Sequence, residues 1–340
     1  MARSLAPSPV VIGLSAVVVA VRDSEAMVLT VRPRGGADDP SRAPAGLPFG
    51  PFDPDEHRTF ELALRAFVTA QTRFDLGYVE QLYTFGDRGR DAPLADMGAG
   101  AEPAPGLPPS RVISVGYLAL TPQAVETEAP DTAWAPWTRF FPWEDWRQGR
   151  PAAAVLIEDA LRRWADRGPS AQRDLRLARA RLAFALDGAP WNEERVLERY
   201  ELLYGAGLAP EAARDRGEAS GERSEALRAA LGVPMISDHR RILATALSRL
   251  RGKIKYRPVV FELMPEAFTL LALQRAVEAI AGASLHKQNF RRALERGGLV
   301  EGLGRIDADT GGRPAELFRF RRESLNARPV SGLSLPLLRD

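Results

Sequence analysis

The chain changes character near Trp146. Ahead of it, apolar runs rich in Val and Ile are cut by short polar turns. Behind it, Leu, Ala, Arg and Glu recur with helical spacing. Strands followed by helices are the pattern of an α+β protein. Residues 10–21 are β-branched and end at Arg22-Asp23-Ser24, which predicts a buried strand, and 27–31 is placed to form a hairpin with it. Residues 79–85 and 112–120 read as further strands, with Gly- and Pro-rich loops over 35–46 and 91–109. A helix is predicted over 54–73, with Asp53 as its cap, Pro54 in the first turn, Asp55 and Glu56 complementing the dipole, and Leu62, Leu64, Phe67 and Val68 on one side. Helices follow over 153–165, 171–186, 193–204, 223–231 and 237–250, with a polar linker at 217–222.

A length of 340 residues suits two domains and a subdomain. There is no cysteine, which excludes disulfides, cysteine-ligated zinc, iron–sulfur clusters and thiol catalysis. Three histidines, His57, His239 and His286, make a His-rich metal site unexpected, and no metal is predicted. The early apolar run 9–21 is too short to span a bilayer, has only Arg3 before it and lacks a small-residue cleavage site after it. No membrane partner is expected, and the cytoplasm is the expected location.

The last third has a plan of its own. A helix over 269–281 carries Leu270, Leu273, Val277 and Ile280 on one side, with Thr269 as cap and Gly282 as stop. After Ala283-Ser284, a second helix runs over 285–296 to Gly297-Gly298. A strand over 299–306, a turn over 307–312 and a strand over 313–321 complete the order of a winged helix. Residues 240–330 hold eighteen Lys/Arg against nine Asp/Glu, a net +9, while the whole chain is only +2, so the remainder is −7. Such concentration is the footprint of a DNA-binding module, or else a solvated basic face on a helical domain. Placement favours the former. Lys287, Gln288, Asn289, Arg291, Arg292 and Arg296 decorate the second helix, while Leu285, Phe290 and Leu294 can hold it to a core. His286 opens the helix as a phosphate or packing contact. Arg305, Arg313, Arg319, Arg321 and Arg322 decorate the hairpin. Gln and Asn can pair with adenine edges, Arg with guanine edges, and Lys and Arg with phosphates.

Leu47-Pro48-Phe49-Gly50 and the helix after it resemble the loop–helix of Nudix hydrolases, whose box runs G-x5-E-x7-R-E-U-x-E-E-x-G-U with U apolar. In that family the glutamates line one helical face and bind Mg²⁺ or Mn²⁺. Read backward from Phe74-Asp75-Leu76-Gly77-Tyr78, the Arg-Glu pair falls on Ala66 and Phe67, the paired glutamates on Ala70 and Gln71, and the late glycine on Arg73. Gly50 and Glu56 keep the opening spacing, but Glu56 and Glu61 are too few for the usual ion site. The box reads as degenerate, with no catalytic residue and no enzyme activity expected; the lesser alternative, for the box taken alone, is a plain amphipathic helix.

The two ends together resemble the Nudix-related transcriptional regulators of NAD metabolism. Residues 78–87 (YVEQLYTFGD), 237–264 (SDHRRILATALSRLRGKIKYRPVVFELM) and 265–320 carry the likeness. The simplest members have no counterpart of 152–232, which points to the alphaproteobacterial branch. The resemblance implies a Nudix-like α/β/α sensor domain (1–150), a helical insert (151–232), a coupling helix (233–252), a winged helix-turn-helix (253–325) and a tail (326–340). It implies a repressor of NAD biosynthesis or salvage genes, acting as a homodimer on a palindromic double-stranded DNA operator. A nucleotide effector such as ADP-ribose, NAD or ATP would bind the sensor, and no cofactor is required. Arg32 and Arg34 are candidates to meet its phosphates or are ordinary surface arginines. Phe49 stacks a base or packs the core. Asp238 and His239 match an Asp-His pair of the family and are ligand contacts or the start of a helix. Trp134, Trp137, Trp143 and Trp146 cap the core or build an interface. The alternative functions are hydrolysis of ADP-ribose or a related nucleoside diphosphate with non-standard metal ligands, and a winged helix used for protein contacts.

Overall fold

The computed structural model describes residues 10–32, 44–73, 75–87, 111–122, 129, 131–219, 221, 223–307 and 314–322. Strand β1 (Val10–Arg22) is its axis. It pairs antiparallel with β2 (Glu25–Val31) and with the short β3 (Phe49–Pro51), and parallel with β5 (Arg111–Leu120). β4 (Tyr78–Phe85) and β6 (Thr132–Pro136) close the two edges, giving the order β4-β5-β1-β2-β6. The β1–β2 turn is Asp23-Ser24, both with positive φ (52° and 64°), the primed geometry whose twist matches a two-residue hairpin.

The unbroken apolar run of β1 follows from burial on both faces. Leu14, Ala16 and Val18 pack with Ala63, Leu64 and Val68 of α1 (Phe60–Thr72). Val17 and Val19 face the other way, into a core with Ile242, Leu243, Ala246 and Leu247 of α7 (His239–Tyr256). The body is therefore an α/β/α sandwich, and α7 is its second helical layer. The helices α2 (Ala152–Asp166), α3 (Ser170–Phe184), α4 (Val196–Gly205), α5 (Pro210–Asp215) and α6 (Glu225–Ala230) surround this second layer. Ile157, Phe184, Tyr200 and Leu231 belong to the same continuous apolar core as α7.

Among the helix boundaries that differ from expectation, two have a clear local cause. The helix expected from Pro54 starts at Phe60. Asp53 does not cap it: its carboxylate accepts Asp55 N–H (2.8 Å), and its backbone exchanges hydrogen bonds with His57. Thr59, in extended backbone, caps instead, its hydroxyl accepting Leu62 N–H at 3.2 Å. Helix α7 begins two residues later than predicted, because Ser237 is left-handed (φ 47°), and runs on to Tyr256 before Arg257 extends ahead of Pro258.

Buried charge joins the parts. Glu144 is fully buried between Arg199 of α4 and Arg251 of α7. Arg199 Nε and an Nη donate to its two oxygens at 2.5 and 2.8 Å, and Arg251 Nη1 donates at 2.5 Å. Arg199 also donates to Ala183 O and Asn192 O and lies 3.8 Å over the Trp191 ring. Burial alone would push the Glu144 carboxyl up, but the two guanidinium groups hold it below its usual range. Removing one partner of a buried ion pair costs about 3–5 kcal/mol, because the other charge is left uncompensated. Glu144→Ala is therefore expected to lower the unfolding free energy by about that amount in a denaturant titration. Glu144→Gln, which keeps an acceptor oxygen, is expected to cost less.

Candidate functional site

The C-terminal module is built from β7 (Phe268–Thr269), α8 (Leu270–Ala281), α9 (Lys287–Gly297), β8 (Val300–Asp307) and β9 (Ala315–Phe320), with sheet order β7-β9-β8. Thr269 caps α8 as expected, its hydroxyl accepting Ala272 N–H at 3.1 Å, and Gly282 ends it at φ 66°. Helix α9 buries only Phe290 and Leu294. His286, Lys287, Gln288, Asn289, Arg291, Arg292 and Arg296 are all exposed. Among the described residues no carboxylate pairs with Lys287, Arg291 or Arg292. The helix thus presents cations and amides to solvent on an apolar anchor, as a reader of a DNA groove must.

The turn before α9 is fixed by residues that sequence reasoning did not single out. Glu278 accepts Leu285 N–H at 2.8 Å, and the Gln274 amide donates to both Glu278 (2.9 Å) and Leu285 O (3.0 Å). Their helical spacing of four was the only sequence signal. On the hairpin, Arg319 and Arg321 share Glu301, which holds the Glu301 carboxyl below its usual range through hydrogen bonds from Arg319 first. Arg305 and Arg322 are exposed, and Arg313 lies outside the described residues.

The basic excess of 240–330 divides into two populations. Every Lys and Arg of α7 meets a carboxylate. Arg240 pairs with Glu211 (3.3 Å), Arg241 with Asp87 (2.6 Å) and Glu201 (2.7 Å), and Arg249 with Glu80 (3.5 Å). Arg251 pairs with Glu144, Lys253 with Glu80, and Lys255 with Glu193 and Glu194. Those charges hold α7 in place. The cations open to a partner are those of α9 and its neighbours.

In the box region, the Gln71 side chain staples β3. Its Oε1 accepts Phe49 N–H (3.3 Å) and its Nε2 donates to Phe49 O (2.6 Å). A Cβ on Gly50 would approach the Phe67 ring to 3.1 Å. Glu56 is exposed in a turn before the helix, and Glu61 pairs with Arg65 at 2.8 Å. Among the described residues no group of three His, Cys, Asp or Glu could hold a metal ion. The residues at the box positions do not fit a divalent cation, since an amide and a phenyl ring stand where its carboxylates are needed.

The expected effector residues fall in two places. Phe49 and His239 are buried against each other, ring centroids 4.8 Å apart and edge-on. His239 Nδ1 accepts Leu47 N–H at 2.9 Å, and Asp238, also buried, lies 3.7 Å from Arg241. Here Phe49 and His239 pack the junction of β3 with α7. Arg32 is exposed at the end of β2 and lines a cleft whose walls include neither ring; Arg34 lies outside the described residues. Of the tryptophans, Trp137 and Trp143 are buried in the core, and Trp146 stacks on Trp191 at 4.3 Å.

Burial, then the nearby Arg214, pushes the His239 pKa down to about 3. The unfolded chain takes up a proton near pH 6.5 while the folded chain does not. This contribution to stability is therefore complete above pH 6.5 and is lost as pH falls toward 3, by up to about 1.4 kcal/mol per pH unit. His239→Gln is expected to flatten that part of the acid limb in melts between pH 7 and 4.

Residues 260–320 match the NrtR DNA-binding winged helix domain family. The ADPR responsive transcriptional repressor NtrR of Acinetobacter baylyi is 40% identical over 94 residues, which are 28% of this chain and 37% of that protein, so the match spans little more than a third of the relative. Among solved structures, Shewanella oneidensis NrtR complexed with a 27mer DNA superposes with a TM-score of 0.51 at 18% identity, over 93% of this chain and 95% of that one. A MutT/nudix family protein from Enterococcus faecalis gives 0.51 at 13% identity, over 94% and 90%. At these identities the likeness to the two structures is one of fold. No helix among the described residues is long and apolar enough to cross a membrane. The C-terminal module of this chain thus matches the NrtR DNA-binding winged helix domain, and the chain as a whole shares the fold of Shewanella oneidensis NrtR, with an α/β/α body ahead of that module.

Proposed function

We propose that this protein is a ligand-responsive repressor that binds double-stranded DNA through α9 and the β8–β9 hairpin. The observation that carries this reading is the exposed face of α9, whose Lys287, Arg291 and Arg292 have no carboxylate partner among the described residues, on a module of the NrtR family. Phe290 and Leu294 fix the helix while Gln288 and Asn289 offer amides suited to adenine edges and the arginines suit guanine edges or phosphates. One such module reads a half-site, so a homodimer on a palindromic operator is the arrangement that fits. The A. baylyi relative is named for its response to ADPR, and ADP-ribose is accordingly the effector we assign. Genes of NAD biosynthesis or salvage are the targets this effector implies, and the cytoplasm is where such a regulator works. The stapled β3 and the phenyl ring over Gly50 favour sensing over hydrolysis.

Selection of genomic fragments by the purified protein, read by sequencing, tests the reading directly. A palindrome upstream of NAD genes is expected, and recovery at background level would overturn it. Arg291→Ala and Arg292→Ala are each expected to weaken operator binding without altering the melting temperature. A lost bidentate base contact costs about 1–3 kcal/mol and relaxes sequence preference, whereas a lost phosphate contact lowers the salt slope by about one. The double variant Ala70→Glu/Gln71→Glu is expected to show no turnover of ADP-ribose with Mg²⁺ or Mn²⁺, because Phe67 still fills the place the ion needs and β3 loses its staple.

A further inference from the structure

We propose that Glu301 is a counter-charge built into the β8–β9 hairpin, withholding Arg319 and Arg321 from the DNA backbone, so that the hairpin meets phosphate through Arg305. The proposal rests on the DNA-binding reading above and assigns a division of work within it.

Glu301 and Arg319 stand directly opposite each other on β8 and β9, so their side chains leave the same face of the hairpin, and Arg321, two residues on, joins them. The other face carries Phe318 and Phe320, which pack on the apolar core, Phe320 stacking on Phe261 at 4.1 Å. The three charges therefore lie on the solvent side. One oxygen of Glu301 accepts a hydrogen bond from Arg319 Nε, and the other accepts from Arg321 Nε at 3.3 Å. The two arginine side chains are 60% and 53% exposed. Burial does not compel this pairing, because water would solvate either cation as well, and exposed ion pairs contribute little stability. What the carboxylate changes is what the arginines offer to a partner. A phosphate that approaches them must displace Glu301 and is repelled by it at short range.

Arg305 is placed differently. Gly302 pairs with Phe318 and Ile306 with Glu316, so residues 303–305 stand opposite Leu317 in a bulge, and Gly304 inside it is left-handed at φ 64°. A bulge re-aims the side chains next to it. Here Arg305 is exposed and meets no carboxylate among the described residues, and Ile306 beside it is 70% exposed. The same strand thus ties up two arginines of its partner at one end and releases its own at the other. Phosphate contacts position a protein on DNA but carry no sequence information. Glu301 accordingly limits how strongly the module is held by DNA of any sequence, and discrimination is left to α9.

The test uses the full chain with Glu301→Gln, with the triple variant Glu301→Gln/Arg319→Gln/Arg321→Gln, and with Arg305→Gln. Binding to the selected operator and to a duplex of unrelated sequence is followed by fluorescence anisotropy over a salt series. Each phosphate neutralised adds about −0.9 to the slope of log affinity against log salt. Glu301→Gln is expected to steepen that slope by about one to two and to raise affinity at low salt roughly tenfold on both duplexes, with an unchanged melting temperature. The triple variant is expected to return to the wild-type slope, and Arg305→Gln to flatten it by about one. A wild-type slope in Glu301→Gln overturns the proposal. So does a triple variant that keeps the gain, or one whose slope is shallower than wild type, since the arginines would then touch DNA despite Glu301. A wild-type chain that binds both duplexes equally overturns the operator reading alone, because the Glu301 series on the unrelated duplex still decides. A wild-type chain that binds neither overturns both.

Discussion

The structure turns on one buried carboxylate. Glu144 sits at the meeting point of the loop after β6, helix α4, α7 and the end of α8. Burying three charges costs several kcal/mol per ion, and their mutual attraction offsets this only when the remaining hydrogen-bond capacity is met. Here it is met. Arg251 donates to Ile280 O (2.9 Å), Glu193 O (3.0 Å) and Glu144 O (3.1 Å), and the rings of Trp191 and Trp137 cover the two guanidinium groups. The fit extends to the backbone. Trp146 N–H donates to Gly282 O (2.7 Å), and a Cβ on Gly282 would lie 2.3 Å from Glu144 O. The C-terminus of α8 can dock here only as glycine. A buried ion group of this kind adds little net stability over a well-packed apolar core, but its contacts reach from the body to the end of α8.

That geometry gives α7 its role. One face lies on the sheet through Ile242, Ala246 and Leu247, and its cations are anchored at both ends. Near the start, Arg240 donates to Phe140 O and Leu231 O and pairs with Glu211; near the end, Arg251 reaches the carbonyl of Ile280 in α8. A helix held this way cannot tilt gradually, because a small tilt breaks buried charged hydrogen bonds without replacing them. It moves as a unit between discrete packings or stays where it is, which is the property a coupling element requires. In the proposed repressor, ligand and DNA would communicate only so far as each binds those packings with different affinity.

Periodicity made much of this visible in the residue order, and long-range pairing hid the rest. Strands β1, β2, β4 and β5 and the exposed face of α9 were legible because apolar runs and burial at steps of three to four are written locally, whereas the short β3 and β6 carry no such run. The start of α1 was not, since Asp53, Pro54 and Thr59 all suit a helix start and only the turn at His57 decides between them. The charge excess was legible as a number and misleading as a location: a lysine on α7 and a lysine on α9 count alike, although Lys253 is locked to Glu80 from 173 residues away. Glu144 carried no signal at all. It lies in an aromatic loop without period, 55 residues from Arg199 and 107 from Arg251. Phe49 and His239 show the same limit, since the packing they form joins segments nearly two hundred residues apart.

Helix α1 shows how positions that could carry carboxylates serve structure instead. Position 71 faces the backbone of β3, which offers one N–H and one C=O at Phe49. A glutamine amide answers both, one as acceptor and one as donor. An ionised glutamate answers only the N–H and sets its second oxygen against the carbonyl, unless a cation lies between them. Carboxylates at such positions are therefore stable with a bound ion and costly without one. Once the neighbouring position is Ala70 and Phe67 covers Gly50, an ion has too few ligands to stay, and the amide becomes the residue that best satisfies the strand. The same helix, on the same sheet, then serves to hold β3 and the Phe49 ring against His239 at the foot of α7.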